Sequence, residues 1–179
     1  MIAAFLQSSL VRLIPVGVVM IALQTTLFVD VQVAGVVVQL VLALVAAAGA
    51  SGGSERGAVA GFVLGSMLDL TEGTPLGSTS IAFTVAGVVA GLLALFAADP
   101  QWWLKAIFVA LGAAAGEAML PVVRLFIGDE NPWPTDMVKV VAMVAIAAAV
   151  MSPVLLPLSR WCLKIRGSAW KSPVEQDQL

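Results

Sequence analysis

What most limits the folds open to this chain is a succession of apolar runs, each near the length that crosses a bilayer, separated by short polar turns. A hydrocarbon core of about 30 Å takes roughly 20 apolar residues per helix, so a chain of this length holds roughly five or six spans and little else. Composition agrees, with 60% of the 179 residues hydrophobic, 11% charged and a mean hydropathy of +1.03. A soluble domain has no use for so much apolar surface. The sequence therefore predicts an all-α integral membrane protein, a compact bundle of six transmembrane helices without room for a soluble catalytic domain. The first apolar run lacks a small-x-small cleavage site and leads into further runs, so it reads as a helix and not as a removable signal.

Polar punctuation sets the span boundaries. Leu13 to Val29 is the first span, with Arg12 before it, Pro15 at its entrance and Asp30 after it. Val31 to Gly49 is the second, interrupted by Gln32 and Gln39 and followed by the polar stretch Ser51 to Arg56. Gly57 to Thr71 is the third, and at 1.5 Å per residue it covers only about 22 Å, which calls for a thinned bilayer or shielding neighbours. Gly73 can close it in the left-handed conformation, and Thr74 and Pro75 supply a cap and a first-turn proline for the next helix. Spans three and four then form a tight hairpin. The fourth ends near Ala98, Trp102 and Trp103 bring in the fifth at headgroup level, and that span runs to Ile127. The sixth extends from Met137 to about Leu158, with Pro153 and Pro157 expected to kink its end. Residues 1–160 form the membrane domain and residues 161–179 a basic juxtamembrane tail.

Six spans put Arg12, Arg56, Lys105, Arg160, Lys164, Arg166 and Lys171 on one side and only Arg124 and Lys139 on the other. Basic residues are held on the cytoplasmic side, so both termini are expected there. A re-entrant Gly57–Thr71 segment would put Lys105 and the tail outside, against that bias. Trp161, Leu163, Ile165 and Trp170 interleave with the cations of the tail, which is read as a topological anchor, the alternative being a segment that lies on anionic lipid.

Few residues offer chemistry. Histidine is absent and Cys162 is the sole cysteine, which removes disulfides, His-based metal sites and His-dependent nucleophilic catalysis. No catalytic residue, metal site, cofactor or nucleic-acid surface is expected. Gly57, Gly61 and Gly65 lie along one stripe, and Gly87 with Gly91 and Gly112 with Gly116 repeat the spacing. Small residues so placed let helices approach closely in lipid, either within the bundle or against a partner. Asp69 continues the first stripe near the end of its span, while Glu117 lies inside span five with Arg124 seven residues later on the same face and Pro121 between them. Charges inside a membrane are costly when unpaired. Counting from the helix ends brings Asp69 and Arg124 to similar depth, so an ion pair or shared hydrogen-bond network between them is expected, with Arg124 snorkelling to the outer headgroups as the alternative.

The stretch from Gly57 through Gly61-Phe62, Gly65, Asp69-Leu70 and Gly73 to Pro75-Leu76-Gly77, continuing to Gly87 and Gly91, resembles the signature hairpin of the MreD family. Leu23-Gln24 is similar to that family more weakly. The hairpin covers roughly a fifth of the chain, and the length and span number also agree. The resemblance implies a non-enzymatic partner of MreC in the bacterial cytoplasmic membrane. There it would support RodA and its class B penicillin-binding protein in lateral peptidoglycan synthesis. It further implies a fold similar to the substrate-binding S components of energy-coupling-factor vitamin transporters. Such a component is the alternative function, with Glu117, Arg124, Asp69 and Gln24 as its few polar candidates.

Overall fold

A computed structural model describes residues 10–26, 32–33, 36–37, 39–96, 101–128, 133 and 135–163. Among them are six helices, α1 (Leu10–Thr26), α2 (Leu40–Gly52), α3 (Ser54–Glu72), α4 (Ser78–Leu95), α5 (Trp102–Ile127) and α6 (Met137–Cys162). Strands β1 (Gln32–Val33) and β2 (Val36–Val37) pair antiparallel, Gln32 opposite Val37 and Val33 opposite Val36. The protein is thus helical in its architecture, and α4, α5 and α6 are long and apolar enough to cross a membrane. The apolar helices α1 and α2 are shorter, whereas α3 reaches 19 residues but is diluted by Ser54, Glu55, Arg56, Ser66, Asp69 and Glu72. Asp30, the Asp129–Asn131 stretch and the tail from Lys164 onward lie outside the described residues.

The expected second span, Val31 to Gly49, is not one helix. Its first part holds the short β-ladder, and the helix starts at Leu40 and extends to Gly52. Five of the eight residues from Val31 to Val38 are valine, and β-branched side chains, stiff in helices, suit extended backbone. The remaining 13 residues are Leu, Val, Ala, Gly and Ser. Every residue from Leu40 to Ala50 is buried. A short helix that is apolar all round belongs in a core, and α2 contacts all five other helices. Its uniform hydrophobicity reflects protein neighbours and not lipid.

The third helix is longer than expected, beginning at Ser54 and closing at Gly73, which has φ +70°. The start of the fourth differs as well. Thr74 and Pro75 remain in the loop, and α4 begins at Ser78 behind Gly77, whose φ is +101°. Pro121, Pro153 and Pro157 all lie within continuous helices. At Pro153 the missing N–H leaves the Ala149 carbonyl free, and Ser152 Oγ donates to it at 2.7 Å.

Helices successive in the chain alternate in direction. Gln24 at the end of α1 meets Val41 at the start of α2, Ser159 Oγ near the end of α6 lies 3.2 Å from both the Ala47 carbonyl and Ser51 Oγ toward the end of α2, and Gly91 on α4 packs on Ser54 at the start of α3. Arg12 donates to the Trp161 carbonyl at 3.4 Å and lies 5.1 Å from the centre of its ring. These contacts gather Arg12, Arg56, Lys105 and Arg160 at one end of the bundle. Asp69, Glu72, Arg124 and Lys139 lie toward the other.

Candidate functional site: a capped glycine hairpin beside a polar cavity

Helices α3 and α4 touch along glycine. A Cβ on Gly57 would overlap the carbonyl of Gly87, one on Gly87 the carbonyl of Gly57, one on Gly61 the backbone of Phe83, and one on Gly65 the backbone of Ser80. Gly91 has the same relation to Gly53 and Ser54, so the contact continues along the whole hairpin. Gly49 of α2 also meets the Gly87 carbonyl. Three helix backbones therefore meet where Gly49, Gly57 and Gly87 come together. Gly49 was visible in sequence only as the end of a span, because its partners lie on two other helices. Gly112 and Gly116 on α5 face Ala90 and Ala86 of α4, so the small-residue faces are all turned inward.

Asp69 ends the stripe as a cap for the next helix. It is 1% exposed. Its Oδ1 accepts from Thr74 Oγ1 (2.9 Å), Ser78 Oγ (3.1 Å) and Thr79 N (3.0 Å). Its Oδ2 accepts from Gly77 N (2.9 Å), Ser80 Oγ (3.1 Å) and Ser80 N (3.4 Å). A carboxylate before the first turn satisfies orphan helix N–H groups and favours the positive end of the dipole. Here it is supplied from the preceding helix, which is why Thr74 is not the cap. Gly77 is needed in the left-handed conformation to turn the chain under that carboxylate, with Pro75 accepting from Ser78 N at 3.1 Å in the same turn.

The expected Asp69–Arg124 ion pair does not form. Both Asp69 oxygens are occupied by residues 74–80, while Arg124 is exposed on α5. Helices α3 and α5 reach similar depth, but α2 and α4 pack against both and stand between them. Depth along the bundle was legible; lateral separation was not.

Glu117 finds its partner on α2. Gln39 Nε2 donates to Glu117 Oε2 at 2.6 Å, tying the start of α2 to the middle of α5. Gln24 Oε1 accepts from Val41 N at 3.1 Å and so caps α2 from α1. Gln39 read in sequence as an interruption of an apolar run, and that interruption was the signal for a polar partner. The two glutamines, Gln24 and Gln39, border a cavity of about 780 Å³ at the Asp69 end of the bundle. Gln24, Gln39, Glu72, Thr74, Ser78 and Arg124 provide its polar lining, set among Leu68, Phe83 and Leu120. Among the described residues it combines hydrogen-bonding groups of both kinds with one cation and one carboxylate.

Comparison of the chain with protein-family models, curated proteins and solved structures finds no match.

Proposed function

We propose that this chain is a non-enzymatic scaffold of the bacterial rod-shape (elongation) system, of the MreD kind, which binds MreC and supports the RodA and class B penicillin-binding protein synthase. The observation that carries the reading is the resemblance of Gly57–Gly77, with Gly87 and Gly91, to the MreD hairpin. The small and acidic residues of that pattern have physical tasks. Gly57, Gly61, Gly65, Gly87 and Gly91 permit backbone contact, Asp69 caps α4, and Gly77 makes the turn. Such a closely packed two-helix unit suits a scaffold.

The reading includes a six-span, S-component-like bundle in the cytoplasmic membrane with both termini in the cytoplasm. Its support is the gathering of Arg12, Arg56, Lys105 and Arg160 at one end, as the positive-inside rule requires. Helices α1 to α3 would cross with the help of neighbours that shield their shorter or more polar surfaces. Affinity purification of the tagged full chain from membranes should recover MreC, and depletion should round the cells and disperse the elongation synthase. Absence of MreC together with unchanged shape and wall labelling would overturn the proposal.

The polar cavity favours one alternative, a substrate-binding S component of an energy-coupling-factor vitamin transporter. Its size suits a small molecule. A vitamin that raises the melting temperature of the purified protein would select this reading, as would a growth defect on depletion that the vitamin rescues.

A further inference from the structure

A second cavity, of about 350 Å³, opens at the opposite end of the bundle between the start of α5, the end of α2 and the last turns of α6. Among the described residues its polar lining is Lys105, Arg160, Ser51 and Ser152, with Trp102 at the edge and no carboxylate. The first cavity balances Arg124 with Glu72; this one holds two cations and hydroxyl groups. It is built for an anion.

The surroundings indicate which anion. Trp102, 74% exposed, is the first residue of α5, and Trp103 beside it is 47% exposed. Exposed indoles at the end of an apolar helix mark the headgroup level of a bilayer. On α6 an exposed apolar stripe continues from the cleft-lining Pro157 through Val154 and Val150, at helical spacing, whereas Ile107 and Leu111 lie on the face of α5 turned away from Lys105. A soluble anion would use the cations but not the α6 stripe. An amphiphile uses both, with its phosphate between Lys105 and Arg160 and its acyl chains along Val154 and Val150.

We propose that this cleft binds an anionic phospholipid by its phosphate headgroup. The inference rests on membrane placement of α5 and α6 and is independent of the scaffold reading. Pro153 and Pro157 belong to the cleft wall, where the absence of two N–H donors in the α6 ladder leaves backbone that Ser152 partly satisfies.

Native mass spectrometry of the purified full chain, offered phosphatidylglycerol or phosphatidylcholine with matched acyl chains, tests the proposal. Phosphatidylglycerol should be retained in preference. Lys105→Gln and Arg160→Gln should each weaken its binding about fivefold, and the double substitution about 25-fold, from the usual contribution of one cation near an anionic lipid. Arg56→Gln, at the same end but outside the cleft, should leave binding unchanged. Excess inorganic phosphate should not displace the lipid. Displacement, with phosphate itself retained, would assign the site to a soluble anion and overturn the lipid assignment. Equal retention of the two lipids by the unsubstituted chain overturns the proposal without any variant, and so does undiminished binding by a folded double variant.

Discussion

Asp69 is the residue on which the hairpin turns. Six donors converge on its carboxylate, all within eleven residues of sequence, and it is almost wholly buried. Asp69→Ala would leave helix N–H groups and hydroxyls without acceptors and should destabilise the protein by about 2–4 kcal/mol. Asp69→Asn keeps one acceptor and points an NH₂ at the donors on the other side, so its cost should be of the same kind and roughly half as large. Arg124→Gln, at an exposed position, should change stability by less than about 0.5 kcal/mol. Thermal unfolding in detergent, carried through the double-mutant cycle, checks both statements. A large non-additive term between Asp69 and Arg124 would restore the ion pair that the geometry denies. Gln39 and Glu117 make the complementary case. Gln39→Leu alone strands the Glu117 carboxyl and should cost about 1–3 kcal/mol, whereas Gln39→Leu with Glu117→Leu removes both partners and should recover most of it.

At the scale of elements, the decisive contact is α3 on α4, with α2 behind it. Where two backbones touch, even one methyl group forces the helices apart, and packing is what holds helices together in lipid. Gly87→Ala should therefore lower the folded yield severely, because its Cβ meets the Gly57 carbonyl and neither backbone has a flexible end to move. Gly61→Leu should do the same against Phe83. Gly73→Ala provides the contrast, since a Cβ there meets open space and costs only the left-handed backbone at φ +70°, about 1–2 kcal/mol. Equal yields for Gly73→Ala and Gly87→Ala, read by size-exclusion chromatography, would show that the stripe does not set the α3–α4 distance. Glycine spacing announced close packing but left open whether the face met a partner. The answer depends on α4 presenting its own glycines at the matching height.

For the whole molecule, charge distribution and helix direction point the same way. The described cations divide into Arg12, Arg56, Lys105 and Arg160 at one end and Arg124 and Lys139 toward the other, and the first group should face the cytoplasm. In a Cys162→Ser background, a cysteine introduced as Ser172→Cys should stay unlabelled by an impermeant maleimide in intact cells, and one introduced as Lys139→Cys should react. Labelling of the first and protection of the second would invert the bundle. Cys162 is itself buried, so it should contribute little labelling even before its replacement.

Apolar runs and their polar breaks determined that this chain is helical, roughly where α4, α5 and α6 lie, that Gly73 ends a helix and that small residues mediate close contact. These are local or periodic properties, written in neighbouring residues. Whether an apolar run faces lipid or protein is not local, and Leu40–Gly52 became the buried centre only because five helices surround it. Partner choice was equally out of reach. Asp69 and Arg124 matched in charge and depth, yet Thr74, Gly77, Ser78, Thr79 and Ser80 were close enough to claim the carboxylate first, and Arg124 lines the cavity with Glu72 and not with Asp69. Sequence spacing fixes position along a helix and around it; only the packed bundle decides which helices are neighbours, and electrostatic and hydrogen-bond pairing require that adjacency.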